Sequence, residues 1–123
     1  MTNEIKGAFQ KVIEKNILNI TYAPLSSYIS DNCSRLDLAY SSSVIENVDQ
    51  ATLVDVDLVK VDDIDQNGDI LTFKAVVDAE VEIEETVHRD REVEGVQKWF
   101  TLTCYAKIDD IPDSFSIKSI NPY

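Results

Sequence analysis

The chain has 123 residues, enough for one domain with a real core and too few for two. Hydrophobic residues make up 44% and charged residues 28%, the balance of a globular domain. Eleven Lys and Arg stand against 23 Asp and Glu, a net charge of −12, which excludes a binder that works by neutralising nucleic-acid phosphates and disfavours anionic membrane surfaces.

The opening residues, Met1-Thr2-Asn3-Glu4-Ile5-Lys6, lack the basic leader and apolar run of a signal peptide, and no stretch is long and apolar enough to span a bilayer. With only two cysteines, Cys33 and Cys104, far apart, the expectation is a cytoplasmic protein with reduced thiols. Cys104 reads as a small buried apolar residue, whereas Cys33 lies in a polar stretch.

The first element is an amphipathic helix. Ile5, Ala8, Phe9, Val12, Ile13 and Ile17 recur at spacings of three and four, one stripe of a helix that covers a sheet. Thr2 or Asn3 supplies the cap, and Pro24 is expected to stop the helix from passing residue 24. Residues 21–50 are less regular: Pro24 can open a short second helix, Arg35–Tyr40 alternates like a short strand, Ser41-Ser42-Ser43 reads as a loop, and Val44-Ile45-Glu46 fits either state.

From Thr52 the pattern is antiparallel β. Strands are expected over about Thr52–Ile64, Asp69–Thr86, Val93–Ile108 and Phe115–Ile120, the last after the turn Asp109–Asp113. In the second strand Phe73, Ala75, Val77, Ala79, Val81 and Ile83 share one face, while Lys74, Asp78, Glu80, Glu82 and Glu84 share the other with Val76 as the exception. A type I′ turn at Asn67-Gly68 sets Val77 against Leu58, Ala79 against Val56 and Val81 against Val54. A turn at Arg89-Asp90 sets Val77 against Leu102 and Ala79 against Phe100. These registers put Lys60 opposite Ala75 and Lys98 opposite Val81 on the apolar face, a conflict that snorkelling or a bulge within Leu58–Val61 would relieve. The fold class is therefore α+β: an N-terminal amphipathic helix packed on a twisted antiparallel meander of three to five strands, in a single domain over residues 1–123. That order of elements resembles the cystatin-like and NTF2-like folds, and the resemblance carries no site residues with it.

Three-quarters of the acidic imbalance lies in residues 51–86. In the expected register Asp55 faces Glu80 and Asp57 faces Asp78, on the side away from the apolar set, and Glu82 extends the row. Trp99 projects onto the same side, opposite Glu80. Like charges placed opposite one another are destabilising; a solvated surface tolerates them, and a basic protein partner would exploit them. An exposed Trp beside carboxylates suits an interface. The leading expectation is thus a non-catalytic interaction module, as a homodimer or an accessory subunit, using Asp55, Asp57, Asp78, Glu80, Glu82 and Trp99. Two alternatives come from other classes: a cone-shaped ligand-binding or enzymatic domain, and an acidic mimic of nucleic acid that inhibits a DNA-binding protein.

The segment Asp63–Ile70 fits the first eight positions of a calcium loop, D-x-D-x-N-G-x-I, yet position twelve is Lys74 where a bidentate carboxylate belongs, and a strand follows where a helix belongs. His88, the only histidine, falls with Arg89 and Arg91 at a hairpin tip, where a solvated turn is the plain reading and a contact point the functional one. There is no G-x-S-x-G, phosphate loop, C-x-x-C or H-E-x-x-H. No catalytic residue, metal or cofactor is expected, and the reading leans away from an enzyme.

Overall fold

In the computed structural model, described over residues 2–40, 42 and 44–123, two helices precede a four-stranded antiparallel meander of order β1-β2-β3-β4 and pack on one of its faces. The elements are α1 (Asn3–Asn16), α2 (Leu18–Asp31), β1 (Gln50–Asn67), β2 (Ile70–Val87), β3 (Asp90–Lys107) and β4 (Ser116–Pro122), with a 3-10 turn at Ile108–Asp110. Among the described residues no helix is long and apolar enough to cross a membrane.

Thr2 caps α1, its hydroxyl accepting from the Ile5 N–H. The stripe is buried only towards its C-terminal end: Ile13 and Ile17 are fully buried, Phe9 and Val12 partly, while Ile5 and Ala8 face solvent. The second helix begins at Leu18, directly after the Ile17 junction, not at Pro24 as expected, and Pro24 does not stop it. The proline sits in the interior of α2, where its missing N–H takes a hydrogen bond from the Ile20 carbonyl, a cost of about 3 kcal/mol. Tertiary contacts on both sides of it offset that cost. Thr21, Leu25 and Ile29 are fully buried, the Tyr22 hydroxyl donates to the Leu53 carbonyl at 2.8 Å, and Tyr28 meets Phe100 edge-on at 6.1 Å.

Arg35–Tyr40 is not a strand. Asn32 caps α2 and accepts from Arg35, Asp37 takes φ 51°, and Tyr40 donates back to the Asp37 carbonyl, so the segment folds into successive turns. Its alternation reflects burial of Leu36 and Leu38 without a ladder. Val44-Ile45-Glu46 is irregular, with Ile45 buried. Ser41 and Ser43 of the expected serine loop lie outside the described residues, as does Met1.

The first hairpin turns one residue later than expected. Gly68 and Asp69 are its central residues, and only Gly68 has positive φ (64°), the pattern of a type II′ turn with glycine in first place. That displacement alone would move every pair by two. Extra β1 residues between Asp62 and Asp65 and at Val59 cancel it, so the central pairs Leu58↔Val77, Asp57↔Asp78, Val56↔Ala79 and Asp55↔Glu80 stand as the sequence implies. The bulge at Val59 resolves the Lys60 conflict: Lys60 pairs with Val76 on the outer side, and Val61 takes the inner place opposite Ala75. A third bulge at Val54 brings Leu53, not Val54, opposite Val81.

The second hairpin turns at His88-Arg89, both at positive φ, one residue before the expected site. Val77 therefore pairs with Phe100, Ala75 with Leu102, Val81 with Val96, and Lys98 with Ala79. A displacement of two preserves the face of every side chain. The second hairpin thus buries the expected face with different cross-strand partners: Phe73, Ala75, Val77, Ala79, Val81, Ile83, Phe100, Leu102, Cys104 and Ala106 all line the core under the helices.

Candidate functional site

The face of the sheet away from the helices is uncovered, and it is divided into two halves. One half carries Asp55↔Glu80 and Asp57↔Asp78 as directly opposed carboxylates, with Glu82 next along β2. The other half carries an aromatic and basic group. Trp99 lies opposite Asp78, not Glu80 as the sequence register implied, at the boundary between the halves. Tyr123 follows β4, donates its N–H to the Trp99 carbonyl at 3.0 Å, and meets the indole edge-on with ring centres 5.4 Å apart. From β1 the Lys60 ammonium reaches to 5.8 Å from the Tyr123 ring and pairs with Asp62 at 3.2 Å. The Asp62 hydrogen bond and charge hold the Lys60 pKa above its ordinary value.

Val76 explains this arrangement. It points to the outer side of β2, yet only 3% of it is exposed, whereas Ile70 on the same side is 37% exposed. The cross-strand neighbours of Val76 are Lys60 and Thr101, and from that row the Lys60 side chain reaches across the sheet to Tyr123. Asp78, next along the same face, has one carboxylate oxygen buried without a hydrogen-bond partner among the described residues. An unpaired buried oxygen beside another carboxylate is unfavourable for the free chain.

The chain's acids separate by role. Glu85 accepts from the Glu46 and Asn47 N–H groups, Asp49 accepts from the Thr86 N–H at 2.8 Å, and Glu94 bonds the Ser42 hydroxyl, so these three tie Ser42 and residues 46–49 to the sheet. Glu84 pairs with Arg91, whose pKa the Glu84 hydrogen bond raises. Asp55 accepts from the adjacent Val56 N–H at 2.9 Å, within its bulge. Asp57, Glu80 and Glu82 have no such protein partner among the described residues. Beside Glu80, the absent side chain of Gly95 leaves a shallow hollow bordered by Gln97.

The hairpin tip holds His88 and Arg89 in the turn itself, exposed, with Arg91 drawn back towards Glu84. It lies beyond the carboxylate rows, so the structure does not bring tip and face into one site. The calcium-like segment is a strand, a turn and a strand, and Lys74 closes on Asp63 at 3.7 Å, so the residue at position twelve acts as an internal counter-ion. Cys104 is buried and Cys33 half-buried, both as free thiols. Sequence reasoning missed Lys60 and Tyr123 as members of the outer face. The bulge hides the phase of Lys60, and Tyr123 joins the face only through the β3–β4 register, which no turn motif announces.

Comparison of the chain with protein-family models, curated proteins and solved structures found no match.

Proposed function

We propose that this protein is a non-catalytic interaction module that docks a basic protein partner on the uncovered face of its sheet. The observation that carries this reading is the boundary at Asp78. There two opposed carboxylate pairs, without an ion-pair partner among the described residues, adjoin an exposed Trp99–Tyr123 pair. A basic side chain entering between Asp57 and Asp78 would relieve their repulsion and satisfy the unpaired Asp78 oxygen, while the aromatic pair supplies rigid apolar area. A basic segment of an otherwise apolar character fits both halves, with this chain as an accessory subunit.

Two further observations favour this reading over the alternatives. The helix–sheet interface is filled by fully buried Ile13, Ile17, Leu25, Ile29, Phe73, Val77 and Phe100, which supports a packed scaffold over a ligand-holding cone. Lys60, Lys74 and the aromatic pair share the face with the carboxylates, which interrupts the continuous row a nucleic-acid mimic requires.

Affinity capture from the native host, comparing the wild type with Asp57→Lys/Glu80→Lys, tests it. The reading expects a basic protein retained by the wild type and lost by the double variant, which melts no lower. Retention of every captured protein by the double variant would remove this face from consideration.

A further inference from the structure

The two edges of the sheet differ. Strand β1 forms one edge and is bulged in three places, which blunts it against other strands. On the opposite side β4 covers only Phe100–Tyr105 of β3, with Tyr123 bonding to Trp99. The remaining part of β3, from Arg91 to Lys98, runs in unbroken register with β2 and has no strand beyond it among the described residues.

The Tyr123 N–H bond to the Trp99 carbonyl shows which way the peptide groups point. Alternation along an antiparallel strand then turns the N–H and C=O groups of Arg91, Val93, Gly95 and Gln97 to the open side. None of them has a backbone partner among the described residues. Gly95 stands at the middle of this stretch. Its φ is not positive, and a Cβ there would meet nothing within 4 Å, so neither backbone conformation nor crowding within the chain calls for glycine. A glycine inside a strand often marks the approach of another backbone.

Charge selects the occupant. The inner-facing residues of the open stretch are Glu92, Glu94, Val96 and Lys98, and inward charges of this kind deter indiscriminate strand pairing. A second copy laid antiparallel about a two-fold axis through Gly95, paired over Glu92–Lys98 and splayed away before Trp99, where Tyr123 fills the edge, reverses their effect. Glu92 of each copy then faces Lys98 of the other, Glu94 faces Val96, Val93 faces Gln97, and the two Gly95 residues exchange both backbone hydrogen bonds. Neither Glu92 nor Lys98 has an ion-pair partner within the chain among the described residues. We infer that the open half of β3 is a self-pairing edge, which joins two copies of this chain into one continuous sheet centred on Gly95. This edge is separate from the outer docking face.

Sedimentation equilibrium of the 123-residue chain tests the inference. The wild type is expected to show a monomer–dimer equilibrium in the micromolar range. Lys98→Glu sets two carboxylates opposite each other at both symmetric positions and is expected to weaken the dimer by about tenfold or more. Glu92→Lys/Lys98→Glu exchanges the charges and should restore wild-type association, which a misfolded or nonspecifically perturbed variant would not do. Gly95→Pro removes the central donor from the open side while leaving the β2–β3 ladder intact and should be monomeric with a cooperative melt. A wild type that stays monomeric across that range overturns the inference, as does a Lys98→Glu dimer of unchanged affinity or a charge exchange that fails to restore it. Asp57→Lys/Glu80→Lys should dimerise like the wild type, so failure of the docking face and failure of the edge are distinguishable.

Discussion

Lys60 lies on the first strand and Tyr123 beyond the last, yet the Lys60 ammonium stands 5.8 Å from the centre of the Tyr123 ring. The contact crosses over β2 at Val76, the outward-facing valine that is 3% exposed. The outer face therefore has a small apolar centre of its own, built by side chains from three different strands and the residue after β4.

Truncation of Tyr123 should expose that centre. Tyr123→Ala removes the edge-on contact with Trp99 and is expected to cost about 1 kcal/mol. Because Trp99 is the only tryptophan, its fluorescence emission should shift to the red in the folded variant, and urea denaturation followed by that emission gives both quantities.

The two hairpin turns should respond in opposite directions to substitution. Gly68 holds φ 64°, so Gly68→Ala places a Cβ in the left-handed region and should cost about 1–2 kcal/mol. His88 and Arg89 hold φ 50° and 76° without being glycine, so His88→Asn/Arg89→Gly installs the residues a type I′ turn prefers and should stabilise by about 1 kcal/mol. Denaturant midpoints of the two variants against the wild type decide both.

Burial pushes the Cys104 thiol from an ordinary value of 9.0 up to about 12. Cys104 should therefore resist alkylation in the folded chain at pH 8, while half-buried Cys33 reacts first; mass spectrometry of the labelled protein reads this directly. The unfolded thiol ionises before the folded one, so between pH 9 and about 12 the unfolded chain binds fewer protons. Stability is full below pH 9 with respect to this group and declines as pH rises through that window.

The sequence was most legible where one periodicity held over many residues. Phe73 to Ile83 alternate without interruption, and both flanking strands had to bury the same side of them. It was least legible where a longer-range contact overrode a local rule. Pro24 looks like a stop, and only the anchoring of Tyr22 to Leu53 and Tyr28 to Phe100 makes a continuous α2 intelligible. Leu36 and Leu38 alternate like strand residues because both are buried by a folded-back turn. The bulge at Val59 is visible in the sequence as a conflict over Lys60, though its consequence, a lysine reaching Tyr123, is not.

Repulsion across the carboxylate pairs should leave a mark on salt dependence. Added salt screens exposed like charges, so the wild-type melting temperature should rise between low and moderate ionic strength. The rise should be smaller in Asp57→Asn/Glu80→Gln, which keeps the side-chain shapes and removes one charge from each opposed pair.

The melting temperature of that same neutralised variant at low salt bears most directly on whether these acids serve docking instead of folding. If the outer carboxylates are held against the interest of the free chain, Asp57→Asn/Glu80→Gln melts about 2–6 °C above the wild type, the equivalent of a few tenths to about 1 kcal/mol. A lower melting temperature would mean that Asp57 and Glu80 hold the sheet together, and the case for a docking face would fall with it.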